Sequence, residues 1–239
     1  MRLIRLAAAL ALLALPGLAA ENPCTNGSFE RLDEDGFPAD WEAVGQTVEA
    51  SSDAHSGQRS LRMLRTAETE SRETGLNRAW TPDSGERGKM IARLKGGIDF
   101  WYKALAAEDA TLRVYVIPMN AEPKEGTGSQ RATFVVPRQH VGDGQWHHGR
   151  LAYDFTDNEK VRWVHISARV AGTAGGLLLD DVSYVERVGP LVRFGKARLD
   201  EDAKQPGRRC VFNVEVQSCG DEPATDIVAT LDLPEGLSA

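Results

Sequence analysis

Leu177, Leu178, Leu179, Asp180, Asp181, Val182, Ser183 and Tyr184 form an apolar run broken by two adjacent carboxylates. A buried charge without a partner is among the costliest things a fold can hold. The run therefore predicts a neutralising cation or a set of hydrogen-bond donors around its acids. Its counterpart near the other end of the chain is Asn26, Gly27, Ser28, Phe29 and Glu30, a turn-rich opening that closes on a third acid.

Outward from these two segments, residues 25–186 read as short alternating runs separated by turn residues, with almost no helical periodicity. Strands are predicted at 60–64, 98–103, 111–118, 132–136, 149–155, 161–170 and 176–184. Asp35-Gly36, His55-Ser56-Gly57, Gly96-Gly97, Gly142-Asp143-Gly144 and Ala174-Gly175-Gly176 carry the turn chemistry between them. Residues 103–109 are alanine-rich and read as a helical turn or a loop. Roughly 160 residues of this kind suit one two-sheet sandwich.

A second unit is expected from Gly189-Pro190, with strands at 192–199, 209–216 and 224–233. Three strands are too few for an immunoglobulin-like sandwich of about seven. The reading is thus a signal segment at 1–20, a sandwich at 21–188 and an incomplete immunoglobulin-like unit at 189–239, with further domains expected downstream.

Residues 1–20 have the form of a secretory signal: Arg2 and Arg5, an apolar stretch over 7–15, then small residues ending Leu18-Ala19-Ala20. The stretch is shorter than the ~20 residues that cross a bilayer, so export is expected and membrane residence is not. Cys24 follows Pro23, which does not suit lipidation. Loss of the two arginines takes the net charge from −7 to about −9, which speaks against nucleic acid as a partner. A bridge between Cys210 and Cys219 is disfavoured, because the residues between them alternate like an extended strand.

Motifs for catalysis are missing. His147 and His148 are adjacent and face opposite sides of a strand, and no Gly-x-Ser-x-Gly or His-Glu-x-x-His occurs. Strand parity does sort the aromatic residues. With Ile98 and Phe100 inward, Asp99 and Trp101 face out; with Leu112, Val114 and Val116 inward, Arg113 and Tyr115 face out. With Val164, Ile166, Ala168 and Val170 inward, Trp163, His165 and Arg169 face out. Aromatic rings flanked by polar groups are what a sugar needs, so these seven are the candidate ligand face. Aromatics at such positions also serve as plain packing. Trp41 and Trp146 are read as structural plugs of the core edge, and Trp80 as a strand end.

Several segments resemble, in order, jelly-roll carbohydrate-binding modules with the galactose-binding-like fold. They are Asn26 to Glu30 with Gly36-Phe37-Pro38-Ala39-Asp40-Trp41, His55-Ser56-Gly57-Gln58-Arg59-Ser60-Leu61, Phe100-Trp101-Tyr102, Asp143-Gly144-Gln145-Trp146, and Leu179-Asp180-Asp181-Val182-Ser183. The resemblance implies an all-β jelly roll, a polysaccharide or glycan partner and no catalysis. It also implies a structural calcium held by the side chains of Glu30 and Asp180 and the backbone oxygens of Ser28 and Gln58, with Asp181 on the opposite parity. Without an ion, Asp180 would instead accept turn amides and Glu30 would be a surface acid. The tail from Gly220 onward resembles immunoglobulin-like modules found beside secreted enzymes. Two other roles stay open: a structural or adhesion module that binds no sugar, and an accessory domain of a secreted hydrolase.

Overall fold

The computed structural model describes residues 24–44, 47–65, 73–80, 93–106, 111–120, 131–172, 174–199, 212–218 and 220–227. The signal segment, Cys210, Cys219 and residues 228–239 lie outside them. The described chain is all-β. In order, its strands are β1 (Glu42–Val44), β2 (Val48–Ser51), β3 (Ser60–Arg65), β4 (Glu73–Trp80), β5 (Lys95–Ala104) and β6 (Thr111–Met119). These are followed by β7 (Ala132–Val135), β8 (His147–Asp154), β9 (Trp163–Ala171), β10 (Gly175–Val185), β11 (Val192–Leu199) and β12 (Phe212–Ser218).

Ten strands make two five-stranded antiparallel sheets, β1-β4-β9-β6-β7 and β2-β3-β10-β5-β8, packed face to face. We call them the β9 sheet and the β10 sheet. Alternation supplies the layer between them: Ile98, Phe100 and Tyr102 of β5 meet Leu112, Val114 and Val116 of β6 and Val164, Ile166, Ala168 and Val170 of β9 in one core cluster. Every strand expected over 60–199 is present, with ends shifted by a few residues. The additions are β1, β2 and β4. The first two are short edge strands, and β4 contains Gly75, Asn77 and Arg78, which blur alternation. Lys103 and Ala104 belong to β5 rather than to a helical turn or a loop, and 107–109 lie outside the described residues.

The opening segment folds around Asn26, whose side-chain amide donates to the carbonyls of Arg31 at 2.9 Å and Ala39 at 2.7 Å. Trp41 donates from Nε1 to the Asn26 carbonyl and packs on the fully buried Phe29, ring centroids 5.2 Å apart, so Trp41 does plug the core edge. Gly27 ties this segment to the closing strand, its carbonyl accepting the Val182 amide at 2.9 Å. A Cβ there would stand 1.8 Å from the Val182 carbonyl oxygen, so only glycine permits the contact. Beyond the sandwich, β11 and β12 form a two-stranded antiparallel sheet, and Pro190 bridges Glu222. Residues 224–227 form no strand.

Candidate functional site

The seven residues expected to share one ligand face divide between the outer faces of the two sheets. Asp99 and Trp101 lie on β5 of the β10 sheet; Arg113 and Tyr115 lie on β6, and Trp163, His165 and Arg169 on β9, of the other sheet. Parity identified outward residues but carried no information about which sheet each strand joins.

On the β10 sheet the outward groups are already engaged. Arg150 grips both carboxylate oxygens of Asp99 and also donates to the Val188 carbonyl. The His55 ring stacks on Trp101 with centroids 3.7 Å apart and planes 10° from parallel. Trp146 stands edge-on to His55 and donates to Asp53, so it packs on the outer surface and does not plug the core. Lys103 pairs with Asp53, and Arg62 with Glu49.

The His55 turn explains the two acids of the closing strand. Asp180 is fully buried; its Oδ2 accepts the amides of His55 at 2.9 Å and Ser56 at 3.1 Å, and its Oδ1 accepts the Asp181 amide at 2.8 Å. A register shift between Asp180 and Ser183 places Asp181 in the left-handed region, φ 49°. That bulge re-aims Asp181 to the same turn, where it bonds His55 Nδ1 at 2.8 Å and Ser56 Oγ at 2.7 Å. Simple alternation, which sets the two acids on opposite sides, fails at this point.

Glu30 reaches the same turn from its other end. Its Oε1 accepts the amides of Gln58 at 2.8 Å and Arg59 at 2.9 Å. Glu30 and Asp180 thus fit one half of a calcium site. Burial raises the Asp180 carboxyl to about 6 against the pull of its amide donors, so its charge is not fully compensated by them. The other half fits less well: all peptides here are trans, so the Gln58 carbonyl points opposite to the Arg59 N–H and away from Glu30. Ser28 sits in the turn closed by the Phe29 amide on the Asn26 carbonyl. Among the described residues no three His, Cys, Asp or Glu side chains gather in a metal-holding group.

The outer face of the β9 sheet is different in character. Register sets Arg113 opposite Arg169, Tyr115 opposite Ser167, Ile117 opposite His165 and Met119 opposite Trp163. Four such rows, two residues apart, span roughly 20 Å along the strands. Tyr115 points outward yet is buried: the Arg131 guanidinium lies over its ring at 4.3 Å and Arg113 Nη1 donates to its hydroxyl at 3.3 Å. Its ring is therefore not a free stacking surface, and the partly exposed Trp163 is the aromatic left for that role. Arg169 Nε donates to the buried Ser167 hydroxyl at 2.7 Å. Arg131 was not among the sequence candidates, since it precedes the edge strand β7 and reaches Tyr115 across the sheet.

Two polar atoms on this face are buried with no hydrogen-bond partner, Arg113 Nε and His165 Nε2. Burial, and secondarily the Arg169 charge, lowers the His165 pKa to about 4, so the ring is neutral at physiological pH. Such orphaned atoms are uncommon in folded proteins and cost stability.

No protein-family model and no curated protein matches the chain. Among solved structures it is similar to the module TmCBM61 in complex with β-1,4-galactotriose, at 15% identity and TM-score 0.44, over 70% of this chain and 99% of that one. It is also similar to the CBM22-1 xylan-binding domain of Paenibacillus barcinonensis Xyn10C, at 18% identity and TM-score 0.43, over 68% and 94% of the two chains. A third likeness is to tailspike protein 4 of bacteriophage CBA120, at 14% identity and TM-score 0.47, over 69% of this chain and 21% of that one. The site described above rests on its own geometry.

Proposed function

We propose that the chain is a non-catalytic carbohydrate-binding module, exported by residues 1–20, which takes a glycan on the outer face of the β9 sheet. The observation that carries this reading is the pair of buried, unpartnered polar atoms on that face, Arg113 Nε and His165 Nε2. Sugar hydroxyls both donate and accept, and supply partners to a guanidinium N–H and to a neutral imidazole alike. Trp163 offers the apolar surface that C–H faces of a sugar pack against, and Arg113, Ser167 and Arg169 offer further polar contacts along the strands. The β10 sheet is the weaker candidate because Asp99 and Trp101 are taken up by Arg150 and His55.

Calcium enters this proposal as a staple. Glu30 and Asp180 would hold it, tying the opening segment and the closing strand to the turn at His55. Screening the full chain against arrayed polysaccharides tests the binding role: retention on at least one glycan is expected, and retention on none overturns it.

A further inference from the structure

The face that carries the unpartnered atoms also gathers positive charge, in a protein whose net charge is −7. Arg113 and Arg169 stand directly opposite each other on neighbouring strands, an arrangement that is unfavourable for like charges. Arg131 joins them across β6, its guanidinium over Tyr115, whose hydroxyl Arg113 also contacts. Among the described residues no acid forms an ion pair with Arg113 or Arg131.

The contrast with the other sheet is sharp. There the outward cations Arg62, Lys95, Lys103 and Arg150 each have a carboxylate partner, although Arg65 at the end of β3 has none among the described residues. By register Glu42 lies at the β1-β4 edge of the sheet, whereas Arg113 and Arg131 lie toward the opposite edge at β7. A guanidinium is built for planar oxyanions, which it can hold through two parallel N–H donors. A neutral sugar would leave the charges of Arg113 and Arg131 without a counterpart.

Resting on the reading of this face as a glycan site, we propose that its ligand is an anionic saccharide, whose carboxylate or sulfate is bound by Arg113 and Arg131 beside Tyr115. The anion meets the charges of Arg113 and Arg131, and the neutral parts of the chain run along the rows toward Trp163.

Affinity electrophoresis of the full chain tests this with polygalacturonate, its fully methyl-esterified form, dextran sulfate and dextran. Retardation by polygalacturonate or dextran sulfate is expected, with about tenfold or weaker binding to the uncharged counterpart, and a fall as salt rises from about 50 to about 500 mM. Retardation by one anion and not the other identifies carboxylate or sulfate as the group recognised. Arg113→Gln and Arg131→Gln should each weaken binding about tenfold, and Arg113→Lys, which keeps the charge, should restore part of it. Equal retardation by charged and uncharged forms, or anion binding that neither variant weakens, overturns the proposal while leaving a glycan role intact. No retardation here combined with no retention on any arrayed glycan removes both.

Discussion

Arg113 on β6 and Arg169 on β9 face each other across one sheet, two cations in directly opposed register positions on an outer surface. Natural sheets avoid that pairing unless something offsets it. The same surface carries the orphaned nitrogen of Arg113.

The neutral His165 on the same surface gives a pH signature. Its pKa of about 4 in the fold lies below the ordinary histidine value, so between these limits the unfolded chain binds more protons than the native one. Its contribution is full above about pH 6.5 and is lost as pH falls toward 4, by roughly 3 kcal/mol in total at 1.36 kcal/mol per pKa unit. Urea denaturation at neutral pH and at about pH 4.5 should show the loss in the native sequence and a smaller one in His165→Gln. An unchanged pH slope in the variant removes this assignment.

Asp180 gathers three backbone amides in a buried corner, two of them from the turn at His55 and Ser56. Asp180→Ala strands these donors and should lower stability by roughly 2–4 kcal/mol. Thermal unfolding of the variant measures it.

The calcium proposal makes a separate demand. Chelation of the full chain should lower its Tm, added calcium should restore it, and Asp180→Ala should abolish the shift. A melting curve unmoved by complete metal removal would mean that the amides of the turn alone neutralise Glu30 and Asp180.

Gly27 is packed so closely on the closing strand that a methyl group would overlap the Val182 carbonyl. Because the obstacle is backbone, Gly27→Ala should cost upwards of about 3 kcal/mol through loss of the opening segment's docking. Near-native stability of that variant would contradict the described contact.

Much of this was legible in the chain itself, for identifiable reasons. Alternation in 98–103, 111–118 and 161–170 predicts Ile98, Phe100, Leu112, Val114, Val116, Val164, Ile166, Ala168 and Val170 as inward, and all are buried, because burial of one sheet face enforces a period of two; Tyr102 and Val161 join them in the core. The same rule could not tell that β5 belongs to one sheet and β6 and β9 to the other, a matter of long-range pairing. Hence Trp101 was grouped with Trp163 although they lie on different sheets. It also failed at Asp181, where the bulge breaks the period, and at Tyr115, which faces outward but is roofed by Arg131 from across the sheet.

Binding of a glycan on the outer face of the β9 sheet is read out by retention of four chains on arrayed acidic and neutral polysaccharides. The native sequence and Trp101→Ala should both be retained, and Trp163→Ala and Arg113→Gln should lose most of that retention while still folding. Retention lost in Trp101→Ala and kept in Trp163→Ala and Arg113→Gln would place the site on the other sheet and rule out the β9 face.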